Sequence, residues 1–234
     1  MIKSQRVTVI PAIMQMRFRS PQAAAGGFTP ADVPQSEADA LIWLYNNTTG
    51  ASWTNKAGWL IDTTVNNWYG VTVTGGHVTD LVLSSNNLNG NIGSWAVDDL
   101  PLTGATGLRL NTNASLSGDI SGWTLPASLA NLQLYSTSVS GAPSIASNTA
   151  MRQYYYHTCG LSQANVDAIL LSVYNRRAAF TYATPALQVG GTNAAPSGVY
   201  QDGDPPTTGK EYAFEIVNDP ETEGFKKWTV TFAA

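Results

Sequence analysis

A short apolar pattern recurs along the middle of the chain and constrains the fold more than any other feature. It consists of two leucines one residue apart, a polar residue three positions beyond the second leucine, and an apolar residue that closes the unit. Three copies follow one another: VTDLVLSSNNL (78–88), ATGLRLNTNASL (105–116) and LANLQLYSTSV (129–139). The first leucines of the pairs are Leu81, Leu108 and Leu132. Their near-constant spacing indicates stacked structural units, none of which can bury its apolar face alone.

Each L-x-L predicts a short strand with both leucines pointing into the core, because successive side chains of a strand alternate between its two faces. The following Asn is expected to turn the chain and to bond backbone groups of adjacent units. A fourth, degenerate copy is MRQYYYHTCGL (151–161), where Tyr154 and Tyr156 replace the leucines and Cys159 takes the polar position. This predicts a buried cysteine at a turn, a setting in which free Cys is usually inert.

Both ends of such a stack must be covered. Upstream, PQSEADALIWLYNNTTG predicts a helix with Ser36 as its N-cap, and three closely spaced tryptophans follow it. A hairpin is predicted around Thr74-Gly75-Gly76. Downstream, SQANVDAILLSVYNRRAAF predicts a helix with Ser162 as its N-cap, and EYAFEIV (211–217) and KKWTVTF (226–232) are strand candidates.

The cap and repeats together resemble the leucine-rich repeat family. A helix, an SWTN-like element and a W-x-G-V segment precede the first repeat in that family, and the matching segments here are ALIWLYNNTTGASWTN (40–55) and NWYGVTV (67–73). The resemblance covers about residues 34–162. The cap holds none of the cysteines that many secreted plant members carry, which argues against a plant receptor. LQVGGTNAAPSG (187–198) with the terminal WTVT is similar to the closing segment of leucine-rich repeat proteins coded by tailed bacteriophages and environmental bacteria.

The resemblance implies an α/β fold: a leucine-rich repeat solenoid of about four coils with an N-terminal helical and hairpin cap, a C-terminal capping helix and a small β extension. The predicted segments are an N-terminal arm and linker (1–33), an N-terminal cap (34–76), the leucine-rich repeats (77–162), a capping helix (163–181) and a C-terminal β extension (182–234).

Charge and cysteine content exclude several functional classes. A net charge of -4 with a pI near 5.0 provides no broad basic surface, so nucleic-acid binding is not expected. The single cysteine excludes an internal disulfide and a cysteine-rich zinc site. Asp202 and Asp204 lack the further spaced oxygen ligands of a calcium loop and favour a turn. No apolar run is long enough for a membrane span, and we expect no cofactor and no metal.

The N-terminal segment (1–33) differs in pattern from the rest of the chain. Met14, Met16 and Phe18 share one face of a period-2 pattern, which predicts a strand, and the linker-like QAAAGGFTPADVP follows. Such a strand is a candidate docking arm that adds to the sheet edge of another subunit. The alternatives are a strand that folds back on the same chain or a frayed terminus. A cleaved secretory signal is disfavoured because polar residues interrupt the apolar run.

Strand residues beside the inward leucines are expected to face outward on the concave side of the sheet and to form a binding surface. The candidate binding residues are Arg109, Asn111, Gln133, Tyr135, Tyr155 and His157. Catalysis by Cys159 and His157 is disfavoured because the pattern sends the cysteine inward and the histidine outward. A metal site of His77 and His157 is disfavoured because the two belong to the first and fourth units.

Sequence reasoning therefore predicts a non-enzymatic accessory protein of a phage virion, as head decoration or tail-associated protein. Its expected partners are other virion proteins, contacted through the N-terminal arm, and a host surface protein or glycan, with an oligomeric arrangement on the particle. The alternative is a secreted or surface bacterial adhesion module that binds protein or glycan. An enzyme is not expected, because no carboxylate pair, phosphate loop or triad motif is present.

Overall fold

A seven-stranded mixed sheet runs through the described part of the chain, which in this computed structural model comprises residues 28–218 and 225–234. The predicted docking residues Met14, Met16 and Phe18 lie outside the described residues. The strands are β1 (Val71–Thr74), β2 (His77–Val82), β3 (Gly90–Asn91), β4 (Leu108–Arg109), β5 (Leu116–Asp119), β6 (Asn131–Gln133), β7 (Ser138–Ser140), β8 (Gln153–Tyr155), β9 (Ala186–Gln188) and β10 (Thr229–Thr231). The α-helices are α1 (Gln35–Asn47), α2 (Gln163–Arg176) and α3 (Gly209–Asn218).

The large sheet has the order β1-β2-β4-β6-β8-β9-β10. β1 and β2 form the predicted antiparallel hairpin, and every later pair is parallel. The register pairs the first inward residue of each unit with that of the next: Leu81, Leu108, Leu132, Tyr154 and Leu187. All five side chains are fully buried. The predicted inward positions are therefore confirmed, and β9 adds a strand that the sequence did not predict.

A second, three-stranded parallel sheet has the order β3-β5-β7. Its strands alternate along the chain with β4, β6 and β8, so the chain returns to each sheet in turn. Both sheets contribute to one core of buried apolar side chains that extends from α1 to β10. The described residues are thus a mixed α/β fold, and no helix among them is long and apolar enough to cross a membrane.

Buried side-chain amides connect neighbouring units at several of the turns that follow an inward pair. The side-chain oxygen of Asn113 accepts the backbone N–H groups of Asn86 and Leu88 at 3.0 Å each. The side-chain NH2 group of Asn113 donates to the backbone carbonyls of Leu83 and Leu110. Asn193 bonds in the same way: its side-chain oxygen accepts the N–H groups of Cys159 and Leu161, and its amide donates to the carbonyls of Tyr156 and Val189. Thr137 and Cys159 occupy the two turns between Asn113 and Asn193. Because each amide satisfies backbone groups on two successive turns, it fixes both their spacing and their direction.

The N-terminal end of the core is covered by α1 and the tryptophans. The indole N–H groups of Trp53, Trp59 and Trp68 all donate to backbone carbonyls, so these large side chains are buried without an unpaired donor. Ser36 is not the N-cap, because α1 begins at Gln35 after Pro34 and places Ser36 within its first turn.

Two helices lie on the C-terminal side. The Ser162 side chain accepts the N–H of Asn165 at 3.3 Å, which confirms its predicted capping role in α2. The strand predicted over 211–217 is wrong, since these residues belong to α3. Thr208 and Glu211 form a capping box there: the Glu211 carboxylate accepts the Thr208 N–H at 3.0 Å, and the Thr208 hydroxyl accepts the Glu211 N–H at 3.5 Å.

Candidate binding surface on the outer face of the sheet

The large sheet has one face packed on the core and one face that carries polar and aromatic side chains. The residue after each first inward residue points away from the core, because side chains alternate along a strand. The register pairs these residues across neighbouring strands: Val82, Arg109, Gln133, Tyr155 and Gln188. We call this the first outer row. It contains three of the six predicted binding residues.

A second outer row lies just beyond the second inward residues and contains Ser84, Asn111, Tyr135 and His157. The backbone pairing continues through this row: the N–H of Thr112 donates to the Tyr135 carbonyl at 2.9 Å, and that of Ser136 to the His157 carbonyl at 3.1 Å. The Ser84 hydroxyl donates to the Asn111 side chain at 2.7 Å. The structure therefore brings all six predicted residues together in two adjacent rows, which we call the outer face. Asn111 and Gln133 are buried there, whereas Arg109, Tyr135, Tyr155 and His157 are partly accessible to solvent.

Tyr135 and His157 form a flat aromatic surface within the second row. Their ring centroids are 4.4 Å apart and their planes differ by 12°. Partial burial lowers the pKa of the His157 imidazole, which favours the neutral ring near pH 7. Both side chains remain partly accessible to solvent. A stacked neutral pair of this kind can support a ring or an apolar group of a ligand.

A groove adjoins the first outer row on the side where the strands begin. Its volume is about 360 Å³. Its lining residues are Ala105, Arg109, Asn131, Arg152, Gln153, Tyr155, Tyr182, Thr184 and Ala186. The guanidinium of Arg152 lies 4.8 Å from the centre of the Tyr182 ring. Arginines, amides and tyrosines therefore surround one cavity, which we call the arginine groove.

Hydrogen bonds fix the polar groups around this groove. Gln153 accepts the side-chain N–H of Gln133 at 2.7 Å, and the amide of Asn131 donates to the Ala105 carbonyl. Asp80, which belongs to the adjacent strand β2, accepts the N–H groups of Thr106 and Gly107 at 2.8 and 2.7 Å. One oxygen of its carboxylate therefore holds the loop before β4.

Cys159 and His157 are not arranged as a nucleophile and base. The Cys159 thiol donates to the Leu134 carbonyl at 3.2 Å, and its contact with His157 is to the backbone carbonyl at 3.7 Å, not to the imidazole. Burial raises the pKa of the thiol and so disfavours the reactive thiolate. The cysteine is only partly buried, not fully buried as expected from the sequence, but its thiol is held in the turn by backbone carbonyls.

Metal-binding side chains are not clustered within residues 28–218 and 225–234, where no group of three or more His, Cys, Asp or Glu could hold an ion. His77 lies at the start of β2, with Nδ1 2.6 Å from the Glu37 carboxylate. His157 follows β8, three strands away in the sheet. The two histidines therefore do not form a shared site.

Sequence reasoning missed the groove residues Arg152, Asn131, Gln153 and Tyr182. Asn131 and Gln153 immediately precede inward residues, so strand alternation places both on the side of the sheet away from the core, although Asn131 is buried by its surroundings. Tyr182 comes from the segment after α2 and carries no local signal of its position.

The outer face and its groove combine aromatic rings, amides and guanidinium groups on a rigid sheet. Such groups can bind a ligand through stacking, hydrogen bonds and charge, and the arrangement contains no activated nucleophile. No protein-family model matches the chain.

Proposed function

We propose that the chain is a leucine-rich repeat solenoid in which each coil contributes one parallel strand to the large sheet. The in-register pairing of β2, β4, β6 and β8 supports four coils. In the first three coils the chain leaves the large sheet and passes through β3, β5 or β7 of the second sheet before it returns. The turn amides Asn113 and Asn193 support stacking at a fixed spacing. In this proposal β9 extends the stack by one strand.

The proposed function is a non-enzymatic binding protein that presents the outer face, as an accessory protein of a phage virion. The observation that carries the binding role is the Tyr135–His157 stack, with Tyr155 and Arg109 in the neighbouring first outer row. Tyr and Arg are favoured at interfaces because they bring a large contact area at limited entropic cost. Placement on the virion depends on the similarity of residues 187–198 and 228–231 to phage-coded proteins and on the strand-like pattern of the first residues.

Association with particles provides a direct test. We expect the full chain to band with intact virions in a density gradient, and a variant that lacks residues 1–33 to remain in the soluble fraction. The measurement is an immunoblot across the gradient. The variant Tyr135→Ala/His157→Ala serves as the control and is expected to stay on the particles, because it changes only the outer face. A chain that is never particle-bound, or one that stays bound without residues 1–33, would contradict the anchoring proposal.

The second candidate is a surface adhesion module of a bacterium, which the same outer face and the arginine groove would suit equally well. Sequencing the N-terminus of the mature chain separates the two candidates. Export through a secretory signal would remove roughly the first 20 residues, whereas the anchoring role requires that they be retained.

A further inference from the structure

The arginine groove is large enough to hold a small ligand group. Its volume of about 360 Å³ lies within the range of roughly 300 to 1,000 Å³ that is usual for ligand sites. It is built on the starts of β4, β6, β8 and β9, all of which are internal strands of the sheet. The backbone of each strand is therefore paired on both sides and gives the lining a rigid base.

Two positive charges face this groove without a carboxylate partner. Among the described residues, neither Arg109 nor Arg152 forms an ion pair with an Asp or Glu. Arg109 uses its Nε to donate to the Thr106 carbonyl at 3.3 Å, which leaves its two terminal nitrogens available. Arg152 is exposed and lies against the Tyr182 ring. In a chain of net charge -4, this pair makes the groove a local site for an anion.

The remaining lining suits a sugar ring. The side-chain amide of Gln153 and the ring of Tyr155 lie in the same groove, and amides can bond neighbouring hydroxyls while tyrosine stacks on the apolar face of a pyranose. Guanidinium groups bind carboxylates in a planar, two-bond geometry. A uronic or sialic acid unit combines these three recognisable features in one small group.

An acidic peptide fits the same groove less well. A peptide that adds as a strand needs a free sheet edge, and the strands that line the groove are internal. A peptide anchored by apolar side chains needs an apolar pocket, yet the only aliphatic side chains in the lining are those of Ala105 and Ala186.

We infer that the arginine groove binds a carboxylate-bearing saccharide unit, with Arg109 and Arg152 holding the carboxylate and Tyr155 supporting the ring. This inference rests on the proposed function, in which the outer face is the binding surface. It deepens that proposal by stating the chemical class of the ligand and the part of the face that recognises it.

The test compares matched saccharides on the full chain. The probes are trigalacturonate and its methyl ester, and 3′-sialyllactose and lactose, with a dextran sulfate oligosaccharide, which carries no carboxylate, as a sulfated anion and a short poly-glutamate as an acidic peptide. Isothermal titration calorimetry is expected to show binding of at least one carboxylate-bearing saccharide and at least tenfold weaker binding of its uncharged partner. Arg109→Gln and Arg152→Gln should each weaken that binding about tenfold or more, since each removes a charged hydrogen bond.

Lys226→Gln is the matched control, because it removes one positive charge from an exposed position that does not line the groove. It is expected to leave the affinity within about twofold. Circular dichroism of each arginine variant checks that the fold is retained, and the conservative Arg152→Lys should recover only part of the affinity because a lysine lacks the planar fork.

Several results would overturn the inference: no saccharide binds, the uncharged partners bind equally well, the sulfated oligosaccharide or poly-glutamate binds as tightly, or the arginine variants bind as the wild type does. The proposed function has a separate readout. A partner that is lost in Tyr135→Ala/His157→Ala but kept in both arginine variants would support the outer face as a binding surface while rejecting the acidic saccharide. Loss of no partner in any of these variants would count against both.

Discussion

At the scale of single residues, the buried turn amides do most to connect neighbouring units. Replacement of Asn113 by Ala would leave the N–H groups of Asn86 and Leu88 and the carbonyls of Leu83 and Leu110 without their partner. We expect Asn113→Ala to lower the free energy of unfolding by about 2 to 4 kcal/mol, because buried polar groups that lose a partner keep their full desolvation cost. Chemical denaturation with urea measures this change.

Asn89→Ala is the control for this prediction, since Asn89 is exposed and its side chain forms no hydrogen bond within the described residues. Its effect should stay within about 0.5 kcal/mol. Equal effects of the two substitutions would show that the Asn113 amide has no special role in joining the units.

At the scale of elements, α3 begins with a capping box that joins Thr208 to Glu211. Hydrogen bonds from the backbone N–H groups of Thr207 and Thr208 lower the pKa of the Glu211 carboxylate to about 2. A lowered pKa means that the folded state favours the ionised carboxylate. This stabilisation is therefore present above the ordinary pKa of about 4.5 and is lost as the pH falls toward 2.

Thr208→Ala removes the other half of the capping box. We expect Thr208→Ala to lower the free energy of unfolding by about 1 kcal/mol, which is usual for loss of an N-cap hydroxyl. The substitution should also speed hydrogen exchange more in α3 than in α2. Thr208→Ser keeps the hydroxyl and should retain most of the wild-type stability. Unchanged exchange in α3 after Thr208→Ala would indicate that contacts such as the Tyr174–Tyr212 ring pair, with centroids 5.4 Å apart, hold the helix without its cap.

The elements also show which parts of the structure a sequence can predict. The inward pairs of β4, β6 and β8 were predictable because strand alternation and the repeat period act together on few residues. β9 was missed because α2 precedes it and places Leu187 farther along the chain from Tyr154 than the period of the earlier units allows. α3 was missed because EYAFEIV carries residues that suit either a helix or a strand, while the TGKE capping box (208–211) begins before this segment and overlaps only its first residue.

The candidate site was predictable only in part, for a related reason. The outward positions of Tyr135, Tyr155 and His157 can be predicted because side chains alternate within the unit that contains each of them. The arginine groove, in contrast, needs Arg109 from β4, Arg152 from the turn before β8 and Tyr182 from the segment after α2. Side chains contributed by three distant segments leave no spacing that a single sequence reveals.

At the scale of the whole molecule, one continuous core joins the tryptophan cap to the C-terminal helices and β10. Each strand of the large sheet pairs only with its neighbours in the sheet, and in the proposed solenoid the free energy of the molecule would depend on interfaces that repeat along one direction. With few units and both ends covered, we expect these interfaces to be lost together and the chain to unfold in a single cooperative transition.

Leu132→Ala tests this cooperativity because Leu132 is fully buried in β6, the middle strand of the large sheet. The substitution should lower the free energy of unfolding by about 2 to 5 kcal/mol, as is usual for a large-to-small change in a core. Hydrogen exchange measured at low denaturant should show the same loss of protection in α1 and in α2, on opposite sides of the altered unit. If protection falls in the units next to β6 while α1 keeps its wild-type value, the two ends of the core unfold independently. A cooperative loss at both ends would instead mean that the outer face keeps its geometry until the whole molecule unfolds, since its rows are spaced by the same stacked strands.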